Sequence, residues 1–251
     1  GTILSVEKFT AGTGKDEITV ASGGKLDVTD AGKNLNFSGG TSKLEVQSGG
    51  DMSTITTITM GDGSGSVTLK DGAKADKLAT INLGDGNNNL DLGISGATQG
   101  ITVSGGSGTD TIKVSGAGKI TTLNAGANKT DITLENGGSI STINANNNAS
   151  STIEVSGSGH ITKIAGNTQA DTITLGKDIT VDTIDTGANQ TTTINGGTIT
   201  TVSTTATGNV AVTVDKNAHI TTLNTSNTAG AVTISGASTV DSLTAAGAVS
   251  I

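Results

Sequence analysis

The chain has 251 residues, 38 of them Gly, with no Pro, Cys, Trp or Tyr and two Phe, and all 14 of its basic residues are Lys. A net charge of −8 excludes a nucleic-acid face, which needs basic residues and stacking aromatics, and argues against an anionic membrane surface. The lack of Cys excludes disulfides and thiol chemistry, no apolar run is long enough to span a bilayer, and the interior has to be built from Val, Ile and Leu.

From the N-terminus, the first apolar beat is short. Ile18, Leu26, Leu35 and Leu44 stand 8, 9 and 9 residues apart, close to the nine-residue half-turn of a calcium β-roll. "AGTGKDEIT" at 11–19 sets Gly12, Gly14 and Asp16 ahead of a strand. From residue 51 the beat lengthens, with "ITTITMGDGSGSVTL" followed by "LATINLGDGNNNLDL". Each carries a Gly-Asp-Gly corner, around Asp62 and Asp85, and "DGAKADKL" at 71–78 keeps Asp76.

"GGSGTDTIKV" at 105–114 is the sharpest motif: Gly105, Gly106, Gly108, Asp110 and Ile112 fit the nonapeptide G-G-x-G-x-D-x-U-x. Calcium takes six to eight oxygens, and a glycine-rich turn frees backbone carbonyls while its Asp supplies charge. The metal candidates are therefore Asp110 with Gly105, Gly106 and Gly108, Asp16 with Gly12 and Gly14, and Asp85 and Asp62. The cofactor they imply is a small number of Ca2+ ions.

Beyond residue 112 two series interleave. Apolar triplets begin at Ile112, Ile132, Ile153, Ile173, Thr192, Val212 and Val232, separated by 20, 21, 20, 19, 20 and 20 residues. Between them run "ITTL" at 120, "ISTI" at 140, "ITKI" at 161, "VDTI" at 181, "ITTV" at 199, "ITTL" at 220 and "VDSL" at 240. Two short strands per repeat, joined by Gly, Asn and Asp corners, predict an all-β fold: a right-handed parallel β-solenoid, or β-helix, of about twelve coils with roughly 20 residues each. Triplet residues i and i+2 face inward, which places Ile132, Ile153, Ile173 and Val212 in one inner ladder. Asn82, Asn124, Asn144 and Asn224 close the second strand, where Asn stacks by hydrogen bonding along the ladder. The "ITTL" strands have apolar residues three apart, so each contains a bulge or a corner. The whole chain reads as one continuous solenoid segment, β-roll-like over 1–50 and built of longer coils over 51–251. Its last strand, ending at Val249 and Ile251, lacks a polar cap, as expected of a segment within a longer solenoid.

An enzyme site is not expected. His160 and His219 occupy equivalent positions three coils apart, too far to share a metal ion. Sugar cleavage on a β-helix groove calls for Arg or Lys, clustered carboxylates and aromatic platforms. Here the acids are dispersed, the closest pairs, such as Asp182 with Asp185, lying in corners.

The nonapeptide at 105–113 resembles the hemolysin-type calcium-binding repeats of RTX proteins. The mixture of "INLGDGNNNLDL", "ITTLNAG" and "GTDTIKV" is similar to bacterial surface-layer (S-layer) proteins of that kind. The resemblance implies calcium-dependent folding, export by type I secretion through a signal beyond Ile251, and self-assembly into an extracellular lattice at the cell surface. Other regions of such a protein would hold a cell-surface polysaccharide; neither nucleic acid nor membrane insertion is implied. The alternative is an RTX adhesin stalk or a ligand-binding, even ice-binding, solenoid whose Thr ladder meets its ligand. Against ice, Lys113 and Glu154 interrupt the triplet file, and Lys163, Asp182 and Asp241 interrupt the other.

Overall fold

A computed structural model describes residues 3–6, 9–11, 14–29, 31–94, 100–145, 149–187, 191–204, 210–226 and 229–251. Every regular element among them is a β-strand, and these strands pair in parallel. The strands stack as a β-solenoid of about ten turns, against about twelve expected. Contacts gather into two compact units, Gly1–Leu123 with Leu134–Ser139, and Asn124–Thr133 with Ile140–Ile251.

The first unit has three-sided coils at its start. One ladder stacks Phe9–Ala11, Asn34–Phe37, Thr57–Thr59 and Thr80–Gly84. A second stacks Glu17–Val20, Lys43–Val46, Ser66–Leu69, Asn89–Leu92 and Asp110–Ser115. The third side holds Ile3–Val6 on Lys25–Val28 and continues through single bridges at Asp51 and Lys74. Alternation sends Leu35, Leu44, Ile58, Val67, Ile81, Leu90 and Ile112 inward, each fully buried.

The short N-terminal spacing therefore has a different origin from a two-sided roll. Ile18 pairs with Leu44, Leu26 with Leu4 and Leu35 with Phe9. Successive members of the beat sit on successive sides of one coil. Along the second ladder the partners Ile18, Leu44, Val67, Leu90 and Ile112 lie 26, 23, 23 and 22 residues apart. The third side makes these coils longer than those that follow.

The second unit has two-sided coils, most of them 20 or 21 residues long, with shorter ones of 18 from Val181 to Ile199 and 17 from Val232 to Val249. Thr152–Ala165, Asp171–Asp185 and Thr191–Ser203 each run through both ladders, turning a tight corner midway. On one side Ile140, Ile161, Val181, Ile199, Ile220 and Val240 form a single file, the order expected from the "ITTL" series. Pairing skips the second residue of each strand, at Thr162, Asp182, Thr200, Thr221 and Asp241, and resumes one residue later. Those residues are all exposed. The three-residue apolar spacing is thus an outward kink, stacked in register from coil to coil.

On the other side the expected inner ladder is corrected. Ile153 pairs with Ile173, but Ile173 continues to Ile194 and Val214, while Val212 pairs with Thr192, which pairs with Asp171. Likewise the Thr152 amide donates to the Asn128 carbonyl, which sets Val155, not Ile153, beside Ile132. A slip of two residues keeps every side chain on its own face, so inward and outward periodicity alone does not distinguish the two registers. The correction also cleans the outer surface: Thr152, Thr172, Thr193, Thr213 and Thr233 form one outward file, and Glu154 moves to the next, with Thr174, Asn195 and Asp215.

Candidate functional site

The candidate metal residues gather mainly at one corner of the first unit, ahead of the second ladder. There the glycine pairs Gly61 and Gly63, Gly84 and Gly86, and Gly106 and Gly108 stack coil on coil. A Cβ on Gly106 would lie 2.2 Å from the Gly84 carbonyl oxygen, and one on Gly108 would lie 2.0 Å from that of Gly86. Gly84 itself has φ of +78° and a built Cβ 2.4 Å from the Gly61 oxygen, so both conformation and space require glycine. Gly105 ends its strand opposite Gly84, where the register shifts by one residue. The glycines serve close backbone stacking.

The acids divide by which way they point. Asp62 and Asp85 are exposed. The Ser107 amide donates to Asp85 Oδ1 over 2.9 Å, and the Thr109 amide donates to Asn87 Oδ1 over 2.9 Å, so each corner caps the next coil. Asp110 points inward and is 0% exposed. Its partner is Asn88, which the register places directly opposite it in the preceding coil. Asn88 Nδ2 donates to Asp110 Oδ1 over 3.1 Å, to the Gly84 carbonyl over 3.1 Å and to the Gly86 carbonyl over 2.9 Å. Its Oδ1 accepts from the Gly65 amide over 2.8 Å, which fixes the orientation of the side chain. One amide thus ties three successive coils together.

Burial pushes the Asp110 carboxyl above its usual range, and the Asn88 side chain and the Asn88 and Gly106 backbone amides oppose this only in part. Its Oδ2 is buried with no hydrogen-bond partner. In the second unit Asp171 is 2% exposed and is likewise raised by burial. It is better satisfied: the Ser151 amide and Asn167 Nδ2 donate to Oδ1 over 3.1 and 3.2 Å, and the Asn167 amide donates to Oδ2 over 3.2 Å.

The other expected sites stand apart. Gly12 lies outside the described residues. Gly14 is exposed, and a Cβ there would meet nothing within 4 Å. Asp16 is four coils from Asp110 along the same ladder and keeps one buried oxygen without a hydrogen-bond partner. Among the described residues no three His, Asp or Glu side chains come together as a metal cluster. A calcium ion takes six to eight oxygens. Here the corner offers one buried carboxylate and two carbonyls, and all three already accept from Asn88. This donor set does not fit calcium.

Sequence reading missed Asn88, although the signal was present. "GDGNNNLDL" at 84–92 aligns residue for residue with "GSGTDTIKV" at 106–114, setting Asn88 against Asp110; the eye goes instead to Asp85, which points to solvent.

Elsewhere, His160 Nε2 lies 2.8 Å from Asp182 and His219 Nε2 3.2 Å from Asp241, each His meeting the kink residue of the next coil. The register confirms that the two histidines are equivalent and three coils apart. A shallow outer groove in the second unit is lined by Lys129, Asp131, Glu154, Ser156 and Thr174, with Lys129 bridging Asp131 and Glu154 over 2.9 and 3.0 Å. The Asn ladder is visible where Asn144 Nδ2 donates to Asn124 Oδ1 over 2.9 Å. No helix of the described residues is long and apolar enough to cross a membrane. In comparisons with protein-family models, curated proteins and solved structures, none matches the chain.

Proposed function

We propose that the chain is a structural, non-enzymatic scaffold segment of an extracellular bacterial surface layer, which assembles with copies of itself. The supporting observation is that within each unit the chain's polar and apolar chemistry is directed at its own neighbouring coils. Inner positions are filled by Ile, Val and Leu, corners are stacked glycines, and outer charges pair between adjacent coils, as in Lys70 with Asp91 and Lys113 with Glu135. Such a surface is durable and repetitive, properties a lattice needs. Among the described residues the outer Thr file on the triplet side of the second unit is one residue wide, its neighbouring file being partly acidic, and on the other side Lys163, Asp182 and Asp241 interrupt the Thr positions, which favours the scaffold over the ice-binding alternative.

The resemblance to RTX proteins brings calcium with it, and the poor donor set at Asp110 leads us to propose a scaffold supported chiefly by its apolar ladders. Negative-stain electron microscopy of the purified chain over a range of concentrations, with calcium and with chelator, tests the reading. Regular arrays or filaments are expected. Particles that stay monomeric at every concentration would overturn self-assembly, and surface labelling that finds the protein only inside intact cells would overturn the location.

A further inference from the structure

We infer that the side-chain amide of Asn88 occupies the cation's place in the nonapeptide corner, so that this copy of the motif folds without calcium and is a plugged, latent metal site. Three observations carry this. The oxygens around Asn88 Nδ2 are the types a calcium ion collects, two carbonyls from a glycine turn and one carboxylate oxygen from the following coil, at 2.9, 3.1 and 3.1 Å. The amide is locked in that orientation by the Gly65 N–H and is itself only 3% exposed. The glycines leave no room to open the corner, since even a Cβ on Gly106 or Gly108 would collide with the coil before it.

An amide donates two hydrogens and carries no net charge, whereas calcium would supply two positive charges and a wider shell. The substitution accounts for what remains imperfect here: Asp110 Oδ2, buried without a partner, is the oxygen an ion would have taken. The second unit holds a related pair without the full motif, with its Asn four residues ahead of the Asp in the same corner and not opposite it in the preceding coil. Asn167 Nδ2 donates to Asp171 Oδ1 over 3.2 Å and to the Ala149 carbonyl over 3.4 Å. An Asn amide facing a buried Asp is thus this chain's own way of closing such corners.

Exchanging Asn88 for a carboxylate removes the plug and adds a ligand, so Asn88→Asp creates a paired-carboxylate site with the Gly84 and Gly86 carbonyls. The test uses the 251-residue chain, melted by far-ultraviolet circular dichroism with millimolar calcium and with chelator. The parent is expected to melt at the same temperature in both. Asn88→Asp is expected to melt several degrees lower than the parent in chelator and to recover most of that loss with calcium, while Asn88→Ala is lowered equally in both. A folded Asn88→Asp indifferent to calcium would overturn the latent site. A calcium shift in the parent that disappears in Asp110→Asn would overturn the plug. If Asn88→Asp does not fold in chelator, the parent still decides by nuclear magnetic resonance. The Asn88 side-chain amide protons should exchange slowly with solvent and stay fixed through a calcium titration; fast exchange or displacement by calcium would refute the assignment.

Discussion

The Asp110 carboxyl is buried with no cation beside it to favour its charged form, and this fixes the direction of a pH effect. Burial raises its folded-state value above the ordinary 3.8 or so. Between the two values the folded chain therefore holds a proton that the unfolded chain has released, and stability from this group is full below that ordinary value and falls as pH rises through the folded one. Asp171 acts in the same sense. Glu45, held low by its hydrogen bond to Lys43, acts oppositely and contributes stability that is lost as pH falls. Asp110→Asn should accordingly match the parent in acid and exceed it at neutral pH by about 1–3 kcal/mol, the range for leaving a buried polar group unsatisfied. Denaturation across a pH series checks this, and a variant less stable than the parent at neutral pH would count against a buried, uncompensated charge. The glycines make a second contrast. Gly106→Ala drives a Cβ against a backbone oxygen and should cost about 1–3 kcal/mol. Gly14→Ala meets open space and should be neutral or slightly stabilising, since it lowers the entropy of the unfolded chain. Equal losses at both positions in denaturation would restore a common ligand-loop role.

At the scale of strands, much was legible. The parallel solenoid followed from the repeat, and the "ITTL" strands stack in the order their spacing gives, because their uneven apolar spacing has only one way to superimpose. The triplet strands were less determinate. Ile-x-Val superimposes equally well on itself and on a copy slid by two residues, so the choice fell to corner lengths and to whether Asp171 and Thr192, opposite each other, could both be buried with hydrogen bonds, a tertiary matter. Thr192 settles inside at 1% exposure, its hydroxyl donating to the Thr186 carbonyl over 3.1 Å. The coil lengths near the N-terminus misled for a related reason: nine residues fit the side of a triangle as well as half of a flattened roll. A cysteine-pair experiment separates the two registers. Thr172→Cys with Thr193→Cys, set opposite each other here, should oxidise readily, their Cα atoms being about 5 Å apart. Thr174→Cys with Thr193→Cys, the pairing implied by the triplets, should remain reduced. Ile173→Ala, emptying a position 1% exposed, should cost about 2–5 kcal/mol, seen first as faster hydrogen exchange in the strands that flank it.

At the scale of the whole molecule, the inward side chains of the last strand are covered by no later coil within residues 1–251. Val249 is 45% and Ile251 95% exposed, whereas Ile220 and Leu223 are both fully buried in their coil. Another coil of the same kind fits that edge, and unpaired strands invite it. Residues 1–251 prepared by themselves should therefore associate as their concentration rises, more so with added salt, which screens the repulsion between copies of net charge −8. Sedimentation checks this, with Val249→Lys expected to disperse the complexes; association untouched by that change would place the contact elsewhere. The register has a mechanical consequence too. Each coil of the second unit is held to its neighbours by pairs about 20 residues away in sequence, so a pull on the chain end loads one coil at a time, like a zip, rather than the whole sheet in shear. Releasing a coil of that length should lengthen the tether by roughly 60–65 Å, its extended span less one coil rise. Held at constant force, the second unit should lengthen as a staircase of near-equal steps, and the same peeling run backwards is a route by which a thread emerging end-first winds up coil upon coil.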